Sequence, residues 1–389
     1  MLPELDAAPI VDVHCHPWRT SDLLELPPDS FEDRLTMIGM CQLTSGASTD
    51  ISHQVAAMSR DTPLVLAARR HLASYLGCEN DRDAVSKHRY AQISSDASAY
   101  FTGLLTDSGV AALFCDEGYP QPVVDTNAVA TEIGRPVHRV GRLEPWIKEL
   151  QTECATYHDL EDRLLDRVTR EAHAGAVAFK TVIAYRTGLD VRDYPIGQAE
   201  DAYRRWRRDD FRESREHSKP VRDRLLYRVA ELCTELQRPI HIHCGGGDPD
   251  VQLTYARPSE LFGFIADHTG VPIVLIHGGW PWMEEAAYLA SIFAHIYIDV
   301  SVMLPWASLG IDQKLEVVLG TAPGGKVMYG SDEASEPEVL WLAGRYGRAA
   351  VKRVLARAVD HDWLTADEGH RLGAGVLGGN ALRLHGLGE

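Results

Sequence analysis

The sequence has 389 residues, 45% hydrophobic and 24% charged, a balance that allows a substantial folded core. Its formal net charge of −17 repels phosphate backbones and excludes nucleic acid as an expected partner. No stretch of about 18 apolar residues runs without a charge, so no membrane span is expected.

Seven cysteines, odd in number and scattered without C-x-x-C pairing, fit a reducing compartment rather than a disulfide framework. The opening "MLPELDAAPI" has neither the basic nor the apolar region of a signal peptide, so a cytoplasmic location is the expectation. In chain order, short Val- and Ile-rich runs read as buried strands: "PIVDVHCH" (9–16), "VAALFCDEG" (110–118), "VHRVGRLEP" (137–145) and "AVAFKTV" (176–182). Four more follow: "RPIHIHCG" (238–245), "VPIVLIHGG" (271–279), "IYIDVS" (296–301) and "KVMYGSDE" (326–333). Amphipathic stretches such as 158–174 and 221–237 lie between them, and "PEVLWLAGRYGRAAVKRVLARAV" reads as paired C-terminal helices.

Eight strands alternating with helices predict a (β/α)₈ barrel across 1–389, one unit without a dividing linker. Residues 20–108 read as a helical insertion after strand 1, with "SGASTD" as a loop. The densely charged 190–222 reads as a solvated helix and loop, with a substrate lid as the alternative.

Nearly every run ends in an ionisable residue: His14 and His16, Asp116 and Glu117, Arg142 and Glu144, Lys180, His241 and His243, His277, Asp332. Barrel enzymes build their sites at that end of the strands. His14 and His16, two apart on a strand, face one side about 6.6 Å apart, close enough to share one cation. Cys15 between them then faces away. Taken singly, each could be a satisfied polar residue, and Asp332 could cap a helix. Together, histidines and a carboxylate are a ligand set for zinc or a similar divalent ion.

The order His-x-His, His, His, Asp resembles the metal-dependent amidohydrolase superfamily. The phrases "AFKTVIAYRTGL", "HCGGGD", "LIHGGWPWMEEAAYLASIFAHIYIDVS", "SDEASEPE" and "GNALRLHGL" are similar to its amidohydrolase-2 branch. Within that branch they look nearest to the amidohydrolase domain associated with FluG and nodulin-like glutamine synthetases, although no glutamine-synthetase segment accompanies this sequence. The resemblance covers most of the chain from residue 9 and is weakest across 20–108. His241 departs from the branch, where glutamine is expected, and a third imidazole would crowd the site.

The resemblance implies His14, His16, His243 and Asp332 as ligands of one or two zinc or similar ions per chain. His277 would be either a ligand or the group that polarises the scissile carbonyl. Asp332 would act as general base and then acid. Lys180 would bridge two ions as a carbamate, bind a substrate carboxylate as an ammonium, or take no part. Arg186, Tyr185, Arg142 and His241 are the substrate-binding candidates, although Arg186 and Arg142 suit structural ion pairs equally. The implied reaction is hydrolysis of a C–N bond in a small molecule, a γ-glutamyl or other amino-acid-derived amide. The alternatives are a metal-dependent decarboxylase, a sugar-acid isomerase, or a catalytically silent metal-binding protein. A homo-oligomer is compatible with all of these.

Overall fold

Eight short strands pair side by side, all parallel, in a computed structural model that describes residues 2–25, 28, 31–39, 49–333 and 336–388. They are β1 (Ile10–Cys15), β2 (Val110–Asp116), β3 (Val137–Arg142), β4 (Ala178–Thr181), β5 (Ile240–His243), β6 (Ile273–Ile276), β7 (Ile296–Asp299) and β8 (Val327–Met328). Their order in the sheet is their order in the chain. The sheet curls into a nearly closed barrel, because residues after β8 return to β1: Val13 N–H donates to Tyr329 O at 3.0 Å, and Asp332 N–H to His14 O at 2.8 Å. The expected (β/α)₈ architecture is therefore present.

Two apolar layers explain the near-continuous hydrophobicity of the strands. One is packed between the sheet and its surrounding helices, among them Ile10, Leu113, Phe179, Ile242 and Ile298. The other is the barrel interior, where Val11, Val13, Phe114, Val140, Val274, Ile276 and Met328 meet Ala381 of the helix Asn380–Leu384. β1 carries an irregularity between Asp12 and Cys15, spending three steps where β2 spends two. The Asp12 carboxylate accepts His14 N–H there at 3.2 Å.

The described segment between β1 and β2 is largely helical. Its main helices are α1 (Pro63–Leu76) and α2 (Arg82–Ser108), which begin on caps from Thr62 and Asp81 and end at left-handed Gly77 and Gly109. The loop expected at "SGASTD" falls at 45–48 outside the described residues, and its last two residues open the helix Thr49–Ser59. Further along lie α3 (Tyr157–His173), α4 (Ile196–Arg208) and α5 (Ser218–Leu236). Within the charged stretch 190–222, Asp190 holds both Arg215 and Lys219, so much of its charge is paired.

The C-terminal pair of helices expected at 337–359 is instead one helix, α6 (Pro337–Asp360). Gly344 and Gly347 within it are points of close packing. A Cβ on Gly344 would stand 2.9 Å from Ser108 Cβ, and one on Gly347 would stand 2.9 Å from Tyr329 and Leu304. No helix among the described residues is long and apolar enough to cross a membrane.

Charge ties the helical segment to α6. Arg89 of α2, buried, donates to Glu336 at 2.8 Å and also binds Glu338, which accepts the Tyr100 hydroxyl at 2.6 Å. Removing one partner from such a cluster leaves buried charge uncompensated. Arg89→Ala should therefore cost about 3–5 kcal/mol in denaturant unfolding. Arg353→Ala, at the partly exposed pair with Asp312, should cost under about 1 kcal/mol. Equal losses in the two variants would refute the cluster's role.

Candidate metal centre

His14, His16, Lys180, His243, His277 and Asp332 converge at the C-terminal ends of β1, β4, β5, β6 and β8, in a cleft of about 400 Å³. His14 Nε2 lies 2.9 Å from Asp332 Oδ1 and 3.1 Å from Lys180 Nζ, and His16 Nε2 lies 3.7 Å from the same carboxylate oxygen. His277 Nε2 stands 3.0 Å from His243 Nδ1. The separations of His14 and His277, and of His14 and His16, are 5.5 and 5.3 Å between ring centres. Cys15 faces away as expected, its sulfur 3.7 Å from that of Cys115.

Two of these residues adopt backbone that side chains avoid: φ is +66° at His277 and +63° at Asp332. The left-handed region costs roughly 1–2 kcal/mol per residue. Both amides are pinned in compensation, that of Asp332 by His14 O and that of His277 by the Asp299 carboxylate at 3.2 Å.

Burial governs the electrostatics. Desolvation lowers His14 to about 4 and takes His243 and His277 well below the usual imidazole range, so these three rings are neutral near pH 7. Desolvation alone would raise Asp332, but His277, His14 and His16 around it reverse that and hold it well below the usual carboxylate range. Lys180, 1% exposed, is pushed down to about 8 by desolvation, with Asp116 opposing part of the effect. Burial likewise pushes Asp12 up to about 7 and Asp299 up to about 6.

The buried polar atoms around this point are only partly satisfied. His14 Nε2 faces both a carboxylate and an amine, while His14 Nδ1 and His243 Nε2 are buried without a hydrogen-bond partner among the described residues. One ligand atom each from His14, His16 and Asp332 lies within 4.8 Å of the others. Such a donor set is costly to bury as it stands and fits a divalent cation.

The substrate-binding candidates separate. Tyr185 packs its ring 4.6 Å from that of His243, and its hydroxyl accepts Asp248 N–H at 3.0 Å. Arg186 stands at the cleft, 37% exposed, with Asp250 at 3.9 Å. Arg142 also reaches the cleft, but its guanidinium forks onto Asp116, which it holds well below the carboxylate range against burial. His241 does not line the cleft. It is level with Val274 in the apolar interior, two residues below His243, and its Nε2 is 3.0 Å from that of His385. A two-residue step along a strand is about 6.6 Å, so this third imidazole does not crowd the site. Glu144 holds Thr181 and the Val182 amide. Trp280 packs against the core rather than lining the cleft.

Sequence reasoning missed Asp299 and Ser301 as site residues. Ser301 Oγ lies 2.8 Å from His277 Nδ1 and donates to Asp299 Oδ1. The polar end of "IYIDVS" carried the same strand-end signal as the other runs.

An amidohydrolase family model matches residues 119–387. The chain is 31% identical over 228 residues to protein FluG of Emericella nidulans, a match covering 56% of this chain but only 26% of that protein. Among solved structures, a candidate metal-dependent hydrolase from Lactobacillus casei superposes with a TM-score of 0.84 at 22% identity, covering 99% of this chain and 97% of the other. The uronate isomerase of Thermotoga maritima superposes at 0.71 with 14% identity, covering 98% and 96%. The two superpositions share the barrel, and the matched family model spans more than half of the sequence. The chain belongs to the amidohydrolase family.

Proposed function

We propose that the cleft holds a divalent cation, zinc or a close relative, on His14, His16 and Asp332, and that the protein hydrolyses a C–N bond in a small amino-acid-derived amide, a γ-glutamyl amide being the leading class. The observation that carries this is the meeting of those three ligand atoms within 4.8 Å at the floor of a cleft of substrate size. His243 and His277 flank the same point and complete the donor set. The chemistry such an ion supplies when bound is Lewis acidity, which makes water a usable nucleophile near neutral pH.

Asp332, 19% exposed at its side chain, then takes a proton from the attacking water and gives it to the departing nitrogen as the C–N bond breaks. Arg186 at the cleft receives a substrate carboxylate, a geometry its planar fork suits. Tyr185 walls the His243 side.

A sugar-acid isomerase is the second reading, favoured by full-length superposition on uronate isomerases. Metal-loaded protein assayed against γ-glutamyl and N-acyl amides, aromatic acids and uronates separates the possibilities. Amide cleavage supports the hydrolase, and turnover of uronates alone replaces it with the isomerase. Bound metal with no turnover on any of them leaves a silent metal-binding protein.

His16→Ala should abolish metal binding, read by elemental analysis, while circular dichroism reports a folded barrel; full stoichiometry would contradict the ligand assignment. Asp332→Asn should cut turnover about 100-fold or more, and near-normal turnover would remove Asp332 from proton transfer. Were a second ion held on His243 and His277, Lys180 as a carbamate would supply it with an anionic ligand. Carbon dioxide adds to the neutral amine, whose share grows as pH rises through about 8. With bicarbonate present above pH 8, wild type should then carry two ions and Lys180→Ala one; one ion in both excludes the bridge.

A further inference from the structure

Behind His277 stands a short relay with a fixed direction. Asp299 Oδ1 accepts two backbone N–H groups, from His277 at 3.2 Å and from Ser301 at 2.7 Å, and also the Ser301 hydroxyl. An oxygen receiving those hydrogens is an acceptor. A proton on Asp299 would sit on Oδ2, so the relay keeps its direction in either charge state. The single hydroxyl hydrogen of Ser301 is committed to Asp299, which leaves Ser301 Oγ only a lone pair to offer His277 Nδ1 at 2.8 Å. All three residues are buried.

We propose that Asp299 and Ser301 are positioning residues that hold His277 in its Nδ1–H tautomer, so that Nε2 turns a bare lone pair toward the cleft. This rests on the reading of the cleft as a metal centre only for its consequence, since the tautomer is a property of the polypeptide alone. Without a cation, Nε2 accepts from His243 Nδ1–H at 3.0 Å, which agrees with the buried, unsatisfied His243 Nε2. The same tautomer decides between the two roles open to His277. A bare Nε2 can ligate an ion but has no hydrogen to give a scissile carbonyl. Val302, next to Ser301, lies at φ +61°, a conformation β-branched residues avoid. The chain accepts that strain immediately after delivering the hydroxyl to His277.

The test is nitrogen-15 NMR of the full, metal-free chain labelled at histidine, with the His277 signals assigned by their loss in His277→Gln. Wild type and Ser301→Thr, which keeps the hydroxyl, should show hydrogen on Nδ1 alone. Ser301→Ala should show a mixture or Nε2–H, and its zinc affinity, measured against a competing chelator, should fall about 10- to 100-fold. Hydrogen on Nε2 in wild type would overturn the proposal. So would pure Nδ1–H or unchanged zinc affinity in Ser301→Ala. If the alanine variant fails to fold, the wild-type and threonine spectra decide. Failure of every form to bind zinc, with the tautomer as stated, would sink the metal-centre reading and leave the relay standing.

Discussion

Three backbone hydrogen bonds between β1 and the segment after β8 carry the whole site: Val13 N–H to Tyr329 O, Asp332 N–H to His14 O and His16 N–H to Glu333 O. They close the barrel, and in closing it they lay residue 332 across the strand that bears His14 and His16. The geometry of the candidate site is thus a by-product of register. A slip by one residue would turn Asp332 out of the cleft. Asp12 reinforces the seam, its one carboxylate oxygen accepting both His14 N–H and Ser331 N–H at 3.2 and 3.0 Å.

The β6–β7 side repeats that device. Asp299 clasps the amides of His277 and Ser301 much as Asp12 clasps those of His14 and Ser331. In both places a buried carboxylate ties a candidate site residue to a neighbouring strand end, and in both a left-handed residue, His277 or Asp332, lies beside the clasp. Strain and restraint occur together: the backbone is bent to aim a side chain inward, and fixed carboxylates prevent it from relaxing. Burial also keeps the imidazoles neutral, so the same enclosed setting governs both the clasps and the charge state of the rings.

The helices between β1 and β2 bear on the same seam from outside. Arg89 and Arg34 grip Glu336. That residue lies four positions beyond Asp332, at the entry to α6. A segment remote in sequence from β8 thereby holds the residue that leads into α6, and Trp18, stacked 4.0 Å from Phe101, lies at the other end just past His16.

The strands, their parallel class and the barrel were legible because burial on both faces imposes continuous Val and Ile runs, and because strand-end histidines have no packing reason to recur. That ground marked His14, His16, His243, His277 and Asp332 as candidates among other strand-end ionisable residues, and the family resemblance narrowed the choice to them. The sequence could not show that His241 lies among apolar side chains against His385, since its strand reads the same whichever layer it occupies. Nor could it show that Arg142 faces Asp116, or that Gly344 and Gly347 mark close packing inside one helix, because each depends on a partner far along the chain. Local pattern determined which residues were candidates for the site. Only barrel closure decided which of them meet, because register and layer depth are set by hydrogen bonds between strands that no single stretch of sequence contains.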